Sequence, residues 1–335
     1  MANVIIGIHG LGNKPPKKLL TKWWKLAMIE GLKANNFNAV LPKFELVYWA
    51  DIMYDKALRI REKDEKSPRF VREKYVKATR DFTTENHNTR KKLVGFLGQQ
   101  LNRIFLNKDL SLNYSFIADA FVNKFFKDLE IYYKDDCTDE NEHLCKANEL
   151  IKERLIRVLE KYKSDRIMIV SHSMGSIVAF DVLSFHSYNI PIHTFVTAAS
   201  PLGLPVVISK IAAEQKRKLL NENYMVTPPS VYKNWYNFSD ILDKVALNYK
   251  LADDFSENKN RVAPVDLLVV NNYEIKGKRN PHKSYGYLRT PEFSNVLNEF
   301  ILTERLTLKQ KVVSRVAQFV NVIKYKLQFG KNRNS

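Results

Sequence analysis

The chain has 335 residues, 45% of them hydrophobic and 27% charged. Those proportions exclude a collagen-like, mucin-like or wholly disordered chain and allow one large domain or two small ones. Lys and Arg number 54 against 36 Asp and Glu, a formal net charge of +18, which admits nucleic acid, an anionic membrane surface or an acidic substrate as partner.

Val4–His9 (VIIGIH) is a β-branched run ended by Gly10, Leu11, Gly12 and Asn13, and reads as a buried strand running into a loop. Pro15 and Pro16 lead into a helical pattern over Leu19–Leu32, and Phe44–Trp49 is a second strand. From Asp51 to about Lys161 the pattern is charged and helical, with Phe116, Phe121, Phe125, Phe126 and Leu129 suited to one helix face. Strands return at Arg166–Val170, Ile192–Ala198, Val231–Phe238 and Val265–Asn271, separated by helix-length connections. Alternating strands and helices predict an α/β fold with a mostly parallel sheet covered on both faces. The expected organisation is a core over 1–50 and 162–304, a helical cap over 51–161, and a basic amphipathic C-terminal helix and tail over 305–335.

The strongest local signal is Ser171-His172-Ser173-Met174-Gly175, between the strand ending at Val170 and an apolar helix running to about Phe185. A Ser on a strand-to-helix turn is a nucleophile elbow, usually Gly-x-Ser-x-Gly, in which small neighbours let strand and helix approach. Here Ser171 stands at the first Gly. The competing reading of Ser173 is a helix cap.

A Ser nucleophile needs a His base and an acid to orient it, in the chain order Ser, acid, His. His9, His87, His143 and His172 precede Ser173, and the His172 ring is expected to point away from it. His186 lies a helix-length away, and His193 begins a strand, at the wrong end of the sheet. His282, in a loop after the last strand, is the candidate base. Asp240 and Asp243 both follow the Val231–Phe238 strand, and spacing does not separate them as the acid. Asp266 begins a strand at the wrong end. Two backbone N–H groups should hold the oxyanion: that of Met174, after the nucleophile, and that of Leu11, in the loop that Gly10 and Gly12 let turn tightly. His9 is expected to anchor this loop. A phosphate loop is disfavoured, because the Lys-Ser/Thr ending is absent and the glycine spacing fails the dinucleotide pattern.

With these residues, the chain resembles the α/β-hydrolase superfamily, and more narrowly lipase/esterase-like bacterial serine hydrolases. Members open with His-Gly-Leu-Gly-Asn-Lys-Pro, here His9–Pro15, and carry a Ser-His-Ser-Met-Gly elbow, here Ser171–Gly175. Ala198–Gly203 resembles their Gly-Ser-Pro-Leu loop, with Ala199 for Gly. Trp235–Val245 resembles their Trp-x-Asn…Asp-x-x-Asp-Pro-Val segment, with Lys244 for Pro, and Asn280-Pro281-His282 with Tyr285–Leu288 resembles their His loop. The resemblance covers roughly 1–50 and 165–300. It implies the second Asp, Asp243, as the acid, and a cofactor-independent hydrolysis of an ester, including lipid or other acyl esters, through Ser173, His282 and Asp243. An acyltransferase would use the same residues.

The second expectation, from a different class, is a non-catalytic protein on the same fold that docks on an anionic membrane surface or nucleic acid. Nucleic acid is disfavoured by the lack of a recognised binding module. Residues 56–103 carry 14 Lys/Arg and 6 Asp/Glu, and residues 305–335 carry 8 Lys/Arg and no acid. Both stretches lie outside the segments expected to carry chemistry, which suggests a surface partner. Val312, Val316, Phe319 and Ile323 line one face of the C-terminal helix, which is expected to dock on its own domain or on a membrane surface. Arg90, Lys91 and Lys92 precede an apolar stretch of similar potential. Asp135, Asp136, Cys137, Asp139, Glu140, Glu142, His143 and Cys145 read as a polar loop, since no paired Cys/His spacing for zinc appears. Two cysteines make no disulfide framework. No apolar run reaches the about 18 residues of a spanning helix, and Val4 follows the N-terminus without a basic and apolar leader. The expected location is therefore cytoplasmic, with peripheral membrane attachment as an extension.

Overall fold

A computed structural model of the chain describes residues 2–79, 142–187, 189–219, 225–246 and 249–303. Six strands form one sheet: β1 (Asn3–Ile8), β2 (Lys43–Val47), β3 (Arg166–His172), β4 (Ile192–Ala198), β5 (Val231–Ser239) and β6 (Pro264–Leu268). Their order is β2-β1-β3-β4-β5-β6, and every pairing is parallel. The six runs read as strands in the sequence are these six, with ends moved by a few residues. This is an α/β-hydrolase-like fold.

The helices between them are α1 (Lys17–Ala34), α2 (Ala50–Met53), α3 (Glu142–Lys161), α4 (Met174–Phe185), α5 (Pro205–Leu219), α6 (Ser284–Tyr287) and α7 (Pro291–Leu302). A short antiparallel hairpin, β7 (Glu274–Ile275) with β8 (Lys278–Arg279), precedes α6. Successive strand side chains face opposite ways, and the core divides accordingly. Val4, Ile6, Ile8, Ile167 and Ile169 pack with α3, α4 and α5 on one face. Ile5, Met168 and Val170 pack with Trp24, Met28, Phe293 and Leu297 of α1 and α7 on the other. Burial on both faces explains why β1 and β3 are nearly continuous apolar runs rather than alternating ones.

Two expectations about 51–161 change. Ile151, Leu155 and Leu159 of α3 are buried in the core, so this helix is a layer of the sheet domain although it precedes residue 162. Residues 54–79, expected to be helical, are turns and extended chain carrying one isolated bridge, Arg59 to Phe70. Glu62 and Asp64 close local turns, while Glu65 and Glu73 pair with the distant Lys276 and Lys283. The aromatic pattern at Phe116–Leu129, the Arg90–Lys92 cluster, Asp135–Glu140 of the polar cluster and the 305–335 helix lie outside the described residues, whereas Glu142, His143 and Cys145, read as part of a polar loop, open helix α3.

Candidate active site

Ser173 sits between β3 and α4 with φ 53° and ψ −131°. A positive φ is sterically costly for any residue with a Cβ and persists only where the surroundings enforce it. Here Ser173 N–H donates to the Ala198 carbonyl at 2.9 Å, tying the turn to the end of β4. Close approach is built in on both sides. A Cβ on Gly175 would lie 2.6 Å from the Ile8 carbonyl oxygen, and one on Gly10 would lie 2.7 Å from Ser173 Cβ. Ser171 fits where Gly is usual, because its hydroxyl, fully buried, donates to the Val196 carbonyl at 2.8 Å. Ala199, also at a Gly position, takes a positive φ of 51°.

The structure brings three of the candidate residues into one chain of hydrogen bonds. His282 Nε2 lies 3.0 Å from Ser173 Oγ, and His282 Nδ1 lies 3.0 Å from both carboxylate oxygens of Asp243. With the ring proton on Nδ1, donated to Asp243, Nε2 is left to accept from the serine hydroxyl. The Asp243 side chain is fully buried, whereas that of His282 is partly open to solvent.

Asp240 is separated from Asp243 by its partners. It accepts from Leu242 N–H and Asn271 N–H and pairs with Arg279 at 3.0 Å. Burial raises its pKa, and these donors offset part of that rise. Its carboxylate therefore closes a turn, and it makes no hydrogen bond to His282. Asp266, as expected, is remote. It accepts from Asn237, Leu251 and Ala252.

His9 anchors the β1 loop. Its Nε2 accepts from Trp49 N–H at 3.0 Å, so its proton is on Nδ1, which donates to the Gly10 carbonyl at 2.8 Å. Burial and the nearby Lys14 charge hold its pKa well below 6.5. Gly12 takes a φ of 87°, which lets the loop fold back. The Leu11 N–H has no acceptor among the described residues. Met174 begins α4 and so has no carbonyl of its own helix to donate to.

Several groups around the site escaped the sequence reading. The His172 ring makes no bond to Ser173, as expected, but its Nε2–H donates to the His282 carbonyl at 2.7 Å. Tyr287 donates to Asp243 Oδ2 at 2.8 Å and accepts from Asp240 N–H at 2.9 Å. Burial keeps its hydroxyl protonated, with a pKa well above 10. Tyr287 lies in the Tyr-Gly-Tyr-Leu motif already singled out, and only its role was missing. Nothing in the local sequence marked His172.

The expectation that residues 56–103 lie outside the chemistry is overturned for the described part. A cavity of about 390 Å³ containing Ser173 and His282 is also lined by Leu58, Phe70, Val71, Arg72 and Glu73. Leu58 N–H donates to the Lys14 carbonyl at 2.9 Å, Glu73 pairs with Lys283 at 2.8 Å, and Tyr273 donates to the Lys74 carbonyl at 2.7 Å. Residues 54–79 thus form a strap across the site.

Residues 77–248, just over half of the chain, match the family profile described as PGAP1-like alpha/beta domain. The match includes Ser173, Met174, Asp240 and Asp243, and it stops before His282. No curated protein matches the chain. Among the described residues, no helix is long and apolar enough to cross a membrane.

Proposed function

The chain belongs to the family of PGAP1-like alpha/beta domains, and on that premise we propose that it is a serine hydrolase acting on an ester bond. The observation that carries the reading is the hydrogen-bonded chain from Ser173 Oγ through the His282 ring to Asp243, each link 3.0 Å long.

In this reading Ser173 Oγ attacks the acyl carbon while His282 Nε2 takes its proton. Asp243 stabilises the imidazolium that forms, and Tyr287 holds the Asp243 carboxylate. The tetrahedral oxyanion receives the N–H groups of Leu11 and Met174. His282 returns the proton to the leaving alcohol, and water then attacks the acyl-enzyme with His282 again as base. No step requires a metal or an organic cofactor. The cavity walls supply a place for an acyl chain, since Leu20, Leu58, Phe70 and Val71 line it alongside Ser173. An acyl ester with an apolar chain, lipid esters included, is the substrate class that this lining favours.

Hydrolysis of p-nitrophenyl esters of graded chain length tests the proposal. We expect turnover by the wild type that falls by about 10³-fold or more in Ser173→Ala and in His282→Ala. Equal rates in the wild type and Ser173→Ala would contradict it.

A further inference from the structure

Lys14 places its ammonium in the same cavity as Ser173. Its Nζ donates to the Leu11 carbonyl and, at 2.8 Å, to the Gly12 carbonyl. An ammonium has three protons to give, and no carboxylate lies within ion-pair distance of this one among the described residues. The groups facing it are Lys283 and His282 from the His loop, Glu73 and Arg72 from the strap, and His9 and His172 from the ends of β1 and β3. Glu73 is committed elsewhere, to Lys283 at 2.8 Å and to Asn280. Three cations thus share this cavity with one carboxylate, and Leu20, Leu58, Phe70 and Val71 also line it.

We propose that Lys14, with Lys283 beside it and Arg72 lining the same cavity, forms a subsite for an anionic oxygen group, a phosphate or carboxylate, carried on the substrate beside its scissile ester. The proposal rests on the ester-hydrolase reading of Ser173 and deepens it. A lysine whose only bonds are to loop carbonyls lacks the counter-charge that desolvated ammonium groups normally keep, and an anionic substrate supplies it. The geometry orders the parts. The Leu11–Gly12 carbonyls that Lys14 holds belong to the loop in which Gly10 closely approaches Ser173, so the anion would sit one loop-width from the acyl carbon. Burial and the Lys283 charge depress the Lys14 pKa to about 7, with Glu73 opposing. The subsite is therefore charged below neutrality and loses charge above it, and anion binding draws a proton onto Lys14.

Inorganic sulfate, whose charge is constant over this range, is the probe. Calorimetry on the full chain should show saturable binding at pH 6 that weakens about 10-fold by pH 8, following the protonated fraction of a group with pKa near 7. Binding should be lost in Lys14→Met, weakened in Arg72→Gln, and nearly pH-independent in Lys14→Arg, which stays charged. Arg72 is exposed, so its variant gives a reading even if Lys14→Met fails to fold. Absence of saturable binding, or wild-type affinity in Lys14→Met, would overturn the subsite. Pairs of butyrate esters differing only in a neutral or phosphate-bearing alcohol complete the test. The phosphate ester should be preferred, and the preference should fall about 10-fold in Lys14→Met. A short soluble phosphate ester compared with a phospholipid in vesicles identifies whether the anion is a free metabolite or a head group. Lys14-dependent sulfate binding without hydrolysis of any ester would sink the hydrolase reading alone. Ester hydrolysis with no preference and no sulfate binding would sink the subsite alone.

Discussion

His172 precedes Ser173 by one residue, yet it acts on the far partner of the site. Its Nε2–H donates to the His282 carbonyl at 2.7 Å, and the two rings lie 5.0 Å apart. Removing that donor leaves the His282 loop without its tie to β3. His172→Leu should lower kcat on an ester by about 10-fold with little change in KM, and His172→Gln, which keeps an N–H donor, should recover part of the loss. The same residue couples stability to pH. Burial and the neighbouring His282, the larger effect being burial, hold His172 neutral in the folded state, with a pKa well below 6.5. The unfolded chain takes up a proton there below about pH 6.5, so stability should fall as pH drops from that value towards the folded pKa. His172→Gln should reduce this dependence by up to one proton, about 1.4 kcal/mol per pH unit. Urea denaturation at pH 6.5 and 5.5 measures it, and identical slopes in the two proteins would show that His172 is not the titrating group. At this scale spacing did not separate Asp240 from Asp243, since both follow β5 within a few residues, and it was the family resemblance that pointed to Asp243. What separates them is remote: Arg279 and the Asn271 N–H claim Asp240, while Tyr287 and His282 claim Asp243.

Among the elements, the end of the strap at residues 75–78 is pinned by one buried hub. The Arg289 side chain is fully buried and pairs with Glu30 of α1 at 3.2 Å. It also donates to the Val76 carbonyl at 2.7 Å and to Asn272 at 2.8 Å. Glu30 in turn accepts from the Tyr75 hydroxyl and from Ala78 N–H. Taking away one partner of a buried pair strands the other charge. Arg289→Met should therefore cost about 3 kcal/mol of stability and speed amide exchange over 75–78, leaving the amides of β1 and β3 protected. A loss below about 1 kcal/mol, with the strap still protected, would show that the hub does not hold it. Strands and strap also differ in how readable they were. β1 and β3 announce themselves because both of their faces are buried, which demands unbroken apolar runs. Residues 54–79 carry no period, since their conformation is set by partners such as Glu30, Tyr273, Lys283 and Arg289, which follow or precede them by tens to hundreds of residues. A helical reading of that segment had only its charge pattern to rest on.

At the scale of the whole molecule, the parallel sheet gathers the carboxyl ends of β1, β3 and β5 at one edge, where ligands collect in such folds. That arrangement was legible because the strand-to-helix turn at Ser173, the Gly-rich loop after β1 and the acids after β5 each follow a recognisable strand. The partition of the basic charge was not legible. Part of it, at Lys14, Arg72 and Lys283, lines the cavity instead of an outer face, and only the three-dimensional path of the strap puts it there. The chemistry proposed for the molecule depends on one property, a Ser173 hydroxyl made nucleophilic by His282. A fluorescent fluorophosphonate probe, which modifies only activated serines, measures that property without knowledge of the substrate. Stoichiometric labelling of the full chain is expected, with the adduct located on Ser173 by peptide mass spectrometry. Labelling should be abolished in Ser173→Ala and slowed by at least about 100-fold in His282→Ala. Folded wild-type protein that takes up no probe, or labelling that persists in Ser173→Ala, would contradict it.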